Sequence, residues 1–227
     1  MQEIIARNLA AVKEEIAAAE RAAGREGKTL LLVATKYADH EMLDALLAAG
    51  VREVGENRVQ QLLEHYEQFE KAGARVHFIG SLQTNKVKYI VDKVAMIHSV
   101  DTLRLAAEIE KQAAKKGVTV QVLVEINAAR EESKSGALPE EAEALCREIL
   151  KMPHLALCGF MTMGSVLESD AAYRAYFAEV RSFGRALWQK LEQPGEPVFS
   201  MGMSQSFVPA VLESADIVRV GRRLFAE

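Results

Sequence analysis

The chain has 227 residues, 49% of them hydrophobic, with 28 Lys+Arg against 32 Asp+Glu and a formal net charge of −4. That length can bury a sizeable core and suits one α/β barrel domain, while the slightly acidic balance offers no general attraction to nucleic acid or an anionic membrane. Cys146 and Cys158 show no metal or redox spacing, the five histidines are scattered, and neither a signal h-region nor a membrane-length apolar run occurs, so the expectation is a soluble cytoplasmic protein without a zinc site.

In chain order, Ile5, Leu9, Val12 and Ile16 mark one face of an amphipathic helix, followed by Gly24 and Gly27. From there the pattern alternates strand and helix. Strands are expected at 30–35, 51–55, 76–80, 95–99, 118–127, 155–161, 197–201 and 216–220. Helices are expected at about 40–49, 58–72, 84–93, 101–116, 139–152, 168–192 and 204–213. Thr84 and Asp101 are placed to cap their helices, and Pro139 with Glu140 and Glu141 suits a first turn. Pro209 is compatible with a helix that starts near Ser206 and costly in one that starts at Ser204. No linker divides the chain, so residues 1–227 read as one domain.

Eight strands joined through helices require parallel crossovers, and eight is the number that closes a barrel. A doubly wound open sheet has the same local pattern, but no G-x-G-x-x-G follows the first strand. The expected fold is a single (β/α)8 TIM-type barrel with an additional N-terminal helix.

Chemistry in such a barrel gathers at the C-terminal strand ends. Lys36 ends an apolar run from Leu30, where burial would favour a neutral, nucleophilic amine able to condense with an aldehyde. The other reading is a lysine that snorkels its ammonium into solvent. At strand ends seven and eight, Gly202, Ser204 and Gly221 suggest an anion cup, with an ordinary turn and helix cap as the alternative. A lysine facing a phosphate cup describes pyridoxal phosphate. Arg219 would then hold the pyridine nitrogen unprotonated and weaken the electron sink; its other reading is a peripheral partner of Glu213. Asn57 serves either the ligand or its own loop backbone. Residues 130–136 read as a solvated loop, and Met161, Met163, Met201 and Met203 as packing at the barrel top.

Six segments in order carry a resemblance: A-T-K at 34–36, G-E-N at 55–57, H-F-I-G-S-L-Q-T-N-K at 77–86, E-E-S-K-S-G at 131–136, S-M-G-M-S at 200–204 and R-V-G at 219–221. Together they resemble the pyridoxal phosphate homeostasis proteins, relatives of the alanine racemase barrel domain. The resemblance implies an internal aldimine on Lys36, Arg219 at the pyridine nitrogen, Ser200, Ser204 and Gly221 around the phosphate, and Asn57 near the cofactor. Many relatives have Thr or Ser where this chain has Arg222, which implies a backbone contact to the phosphate there instead of a hydroxyl. It further implies a mostly monomeric carrier or regulator of vitamin B6 pools without established turnover, whose partners are pyridoxal phosphate and the apo-enzymes that use it. The alternative is a low-activity amino-acid racemase using the same cofactor. In alanine racemases the second base is a tyrosine from a C-terminal domain. This chain ends at Glu227, just past strand eight, and Tyr37 would point away from Lys36 if the strand continued. A third reading is a cofactor-free barrel enzyme acting on a phosphorylated metabolite.

Overall fold

Eight parallel strands pair in chain order: β1 (Leu30–Ala34), β2 (Glu53–Glu56), β3 (Arg75–Phe78), β4 (Met96–Val100), β5 (Val120–Glu125), β6 (Leu155–Met161), β7 (Val198–Met203) and β8 (Ile217–Val220). β8 pairs with β1 from Leu30↔Ile217 to Val33↔Val220, and this closes the barrel. The expectation of a barrel over an open sheet is borne out. The structure is a computed structural model and describes residues 1–131, 134–164 and 166–226.

The helices are α1 (Gln2–Ala23), α2 (His40–Ala48), α3 (Val59–Lys71), α4 (Leu103–Lys116), α5 (Pro139–Ile149), α6 (Asp170–Lys190), α7 (Phe207–Leu212) and α8 (Arg222–Phe225). The helix expected at 84–93 is instead a 3-10 segment, Thr84–Tyr89, that begins after Gln83. Val87, Tyr89, Ile90 and Val91 crowd that stretch with β-branched and aromatic residues, which disfavour a regular α-helix, and short connectors often take 3-10 geometry. Thr102 caps α4, its Oγ1 accepting from Leu105 N–H at 3.3 Å, so the cap lies one residue beyond the expected Asp101. Pro139 opens α5 as expected, and the Glu141 carboxylate accepts from Leu138 N–H at 3.2 Å. α7 starts at Phe207, which puts Pro209 in the first turn, where its missing N–H costs little.

α1 buries Ile5, Leu9, Val12 and Ile16 and packs on α2, α7 and α8. Gly24 ends it in the left-handed region at φ 63°. Beyond this cap the chain turns around Glu20, whose carboxylate accepts from Gly27 N–H at 2.9 Å and Thr29 N–H at 2.5 Å. Burial raises the pKa of Glu20, but these backbone donors outweigh it and hold the carboxyl below its ordinary range.

Alternate strand positions face opposite ways. Leu30, Leu32 and Ala34 of β1 join Ile79, Met96, Leu123, Met161 and Ile217 in a cluster inside the barrel. Leu31 and Val33 face the larger layer between barrel and helices. The inward positions of β3, β4, β7 and β8 also carry His77, His98, Ser200 and Arg219, which are 1, 0, 0 and 4% exposed. A polar seam therefore runs through a core that barrels usually fill with branched apolar side chains. Among the described residues no helix is long and apolar enough to cross a membrane.

Two outcomes are expected. A methyl group in Gly184→Ala would lie 2.5 Å from Phe199 Cε1 and 2.9 Å from Phe160 Cδ2. Overpacking of about 1–3 kcal/mol should exceed the gain of about 1 kcal/mol in helix propensity, so urea unfolding should show a net loss; a more stable variant would overturn this packing account. Glu20→Gln should cost about 1–2 kcal/mol at pH 7. Because the folded pKa of Glu20 is lowered, its contribution is present above the unfolded value near 4.5 and lost as pH falls through the folded one, so acid titration of stability should bring the two proteins together.

Candidate functional site at the barrel mouth

At the C-terminal strand ends a cleft of about 770 Å³ opens to solvent. Lys36, Asn57, Ser204, Arg219, Gly221 and Arg222 line it together, with Tyr37, Ile79, Met163, Tyr173 and Met203 among the other walls. Six of the seven expected residues thus meet. Ser200 does not line the cleft: it is fully buried on β7, where its backbone carbonyl and hydroxyl both accept from Arg219. In this structure its hydroxyl is engaged by His98 and Arg219 and does not face the cleft.

Lys36 departs from expectation in its surroundings. β1 stops at Ala34, so the lysine stands in the turn beyond it and is exposed, with Nζ 4.9 Å from the centre of the Tyr37 ring. Of the two readings of Lys36, the structure favours the solvent-facing amine over the desolvated one. Tyr37 lines the same cleft, because the extended geometry that would have turned it away ends before it. Below this turn Thr35 donates to Glu56 Oε1 at 2.7 Å, and His65 Nδ1 lies 3.2 Å from the same oxygen. Burial pushes the Glu56 carboxyl above its usual range against these bonds.

Arg219 forms part of the floor. Nη1 donates to Ser200 O at 2.8 Å and to Ser200 Oγ at 2.6 Å; Nη2 donates to Thr162 O at 2.8 Å and lies 3.6 Å from Met163 Sδ. Of its five N–H donors, Nε–H has no bond among the described residues. Burial pushes the guanidinium down to about 10, so it stays charged at neutral pH. Glu213 pairs instead with Arg174 at 2.7 Å, so the reading of Arg219 as its peripheral partner is excluded.

Gly221 N–H donates to Ser204 Oγ at 3.2 Å, which joins strand ends seven and eight. Ser204 does not cap a helix: Ser206 precedes α7, and its hydroxyl accepts from Met203 N–H at 3.2 Å. Just before this turn, within β7, Gly202 takes φ 91°, and an added Cβ there would lie 2.5 Å from Ala210 Cβ. Arg222 is exposed and opens α8. Asn57 contributes a buried Oδ1 with no hydrogen-bond partner among the described residues, an acceptor aimed at nothing in the protein. Of the four methionines expected to pack the barrel top, Met161 packs inside the barrel and Met201 in the layer between barrel and helices, whereas Met163 and Met203 line the cleft. In the 130–136 segment Asn127 Nδ2 donates to Glu131 O at 2.9 Å, and residues 132 and 133 lie outside the described residues.

Sequence reading missed His77, His98 and Glu53, which hydrogen-bond in series beneath Arg219. The available signal was their place on strands: His77, His98 and Ser200 occupy alternate, inward positions of apolar runs. It also missed that His40 and His65, called scattered, converge with Glu64, their ligand-type atoms within 4.8 Å of one another. Those residues lie on α2 and α3, and none of them lines the cleft.

A closed eight-stranded parallel barrel with this cleft defines the class, and over residues 7–227 the chain matches the alanine racemase N-terminal domain family and belongs to it. Its similarity is to the pyridoxal phosphate homeostasis proteins. One from Aquifex aeolicus is 41% identical over 92% of each chain, and one from Pseudomonas aeruginosa is 34% identical over 97% of this chain and 94% of its own. The structure of PipY from Synechococcus elongatus with pyridoxal phosphate bound is similar at a TM-score of 0.86, with 27% identity over 98% of this chain and all of that one.

Arg219→Leu should lower the unfolding free energy by about 2–5 kcal/mol, because the carbonyls of Ser200 and Thr162 would lose buried donors worth about 1–3 kcal/mol each. Urea denaturation checks this; an unchanged midpoint would mean that the guanidinium is not what pairs them.

Proposed function

We propose that this chain binds pyridoxal phosphate at the barrel mouth and carries or buffers it, as a cytoplasmic homeostasis protein that delivers the cofactor to apo-enzymes. Residues 1–227 would act as one alanine-racemase-like domain and as a monomer. One observation carries the reading: an exposed amine, an unpartnered buried amide oxygen and a guanidinium with a spare N–H line one cleft, beside the Ser204–Gly221 pair. These groups match an aldehyde, a phenolic hydroxyl, a ring nitrogen and a phosphate in turn.

When bound, pyridoxal phosphate supplies an aldehyde that condenses with amines and a ring that can accept electrons. Lys36 would be the attachment point, and its exposure leaves it open to incoming amines. Arg219 Nε–H would donate to the ring nitrogen; since the guanidinium stays protonated, that nitrogen remains an acceptor and the ring a weak electron sink. Ser204, its oxygen accepting from the Gly221 N–H, would donate its hydroxyl proton to the phosphate, with Arg222 adding positive charge at the rim. Asn57 Oδ1 would accept from the ring hydroxyl, using its only unsatisfied buried atom.

One observation favours a second reading, a low-activity racemase: Tyr37 lines the same cleft as Lys36. Two-base racemisation needs acid and base on opposite faces of the substrate, and here the amine lies over its neighbour's ring on one wall. The carrier reading therefore stands first.

Borohydride reduction followed by intact mass, after incubation with pyridoxal phosphate, should show one phosphopyridoxyl group on the wild type and none on Lys36→Ala. An adduct that persists in the variant would sink the Lys36 assignment, and no adduct on either would sink the cofactor reading. The loaded protein should also activate a pyridoxal-phosphate-dependent apo-enzyme faster than it releases cofactor into buffer; equal rates would reduce the carrier to a passive store. Solvent deuterium entering the Cα of alanine in the presence of the loaded protein would favour the racemase.

A further inference from the structure

A continuous line of hydrogen bonds crosses the barrel interior from the N-terminal ends of β2 and β3 to Arg219 at its mouth. Glu53 Oε1 accepts from Arg75 Nη1 at 3.0 Å, and Glu53 Oε2 lies 2.8 Å from His77 Nε2. His77 Nδ1 is 2.9 Å from His98 Nε2, and His98 Nδ1 is 2.9 Å from Ser200 Oγ. Ser200 Oγ accepts from Arg219 Nη1 at 2.6 Å. Five strands contribute one group each, and only Glu53 and its partner Arg75 reach solvent appreciably.

The two ends decide which way every proton points. A guanidinium only donates and a carboxylate only accepts. With both imidazoles neutral, Ser200 O–H donates to His98 Nδ1, His98 Nε2–H to His77 Nδ1, and His77 Nε2–H to Glu53. Each donor then has one acceptor. In the opposite direction Ser200 Oγ would face two donors, and its own proton would have no acceptor among the described residues. Burial first, and with it the nearby Arg219 charge, pushes His98 well below the usual histidine range, which keeps it neutral. Burial would raise Glu53, yet the His77 hydrogen bond and the Arg75 charge hold it lower.

We propose that Glu53, His77 and His98 are positioning residues for the cofactor site: their one-way relay commits the Ser200 proton to His98, so that Ser200 offers Arg219 lone pairs only and fixes the guanidinium with Nε–H available to the ligand's ring nitrogen. This rests on the pyridoxal phosphate reading, while the relay itself is a property of the protein without cofactor. Glu53 thus acts from the far end of the barrel, without contact with the ligand, through three intervening side chains.

Glu53→Gln tests it. Arg75 would keep the amide oxygen, which leaves the amide NH₂ facing His77 Nε2 and forces the relay to reverse. In ¹⁵N-histidine spectra of the cofactor-free protein, His98 should carry its proton on Nε2 in the wild type and on Nδ1 in Glu53→Gln. The same substitution should weaken pyridoxal phosphate retention about fivefold, the equivalent of one hydrogen bond of about 1 kcal/mol. In a Ser200→Ala background, where the link to Arg219 is cut, Glu53→Gln should cause no further loss. An unchanged His98 tautomer, or losses that simply add in the double variant, would overturn the relay. If Glu53→Gln does not fold, Ser200→Ala alone must show the fivefold loss, and full retention there overturns the proposal equally. Failure of the wild type to take up pyridoxal phosphate would instead overturn the cofactor reading, and the tautomer switch would still decide the relay.

Discussion

A guanidinium that is 4% exposed inside a parallel barrel imposes its demands on everything around it. Removing such a charge from water costs several kcal/mol unless dipoles and hydrogen bonds replace the solvent. Arg219 obtains them from two neighbouring strand ends: the carbonyl and hydroxyl of Ser200 on β7, and the carbonyl of Thr162 and the sulfur of Met163 just past β6. The β7–β8 register shifts between Ser200 and Met203, and within that irregular stretch Gly202 takes a positive φ of 91°. The barrel mouth is thus shaped around the arginine as much as around any ligand.

The relay extends that demand to the opposite end of the barrel. Two imidazoles and a hydroxyl separate Arg219 from Glu53, so the interior holds a cation and an anion that never touch. Such a polar core is stable only when every member is satisfied, since one unpaired group in a low-dielectric interior costs as much as several surface ion pairs contribute. The two walls of the cleft differ accordingly. The floor is fixed by buried bonds, whereas Lys36 is exposed, with its amine over the Tyr37 ring. A rigid recognition surface with an accessible amine fits the proposed carrier, which must hold its cargo and yield it.

Much of this architecture was legible from local pattern. Alternating apolar strands and amphipathic helices led to the barrel, and polar and glycine residues at strand ends led to six of the residues that share the cleft. Errors clustered where local signals are degenerate. Thr102 and Asp101 are both good caps one residue apart, and a short β-branched stretch can take α or 3-10 geometry. Lys36 follows an apolar strand, yet whether its side chain is buried depends on where the strand stops, and it stops at Ala34.

The sequence by itself determined the kinds of chemistry present and the order in which the strands deliver them, because side-chain period and turn residues are properties of neighbours along the chain. Only the tertiary structure decided which of those groups meet. His77 and His98 are 21 residues apart, His98 and Ser200 102 apart, and Ser200 and Arg219 19 apart, yet they form one line of hydrogen bonds. Barrel closure and strand stagger set those encounters, and both are collective results of packing eight strands that no local spacing encodes.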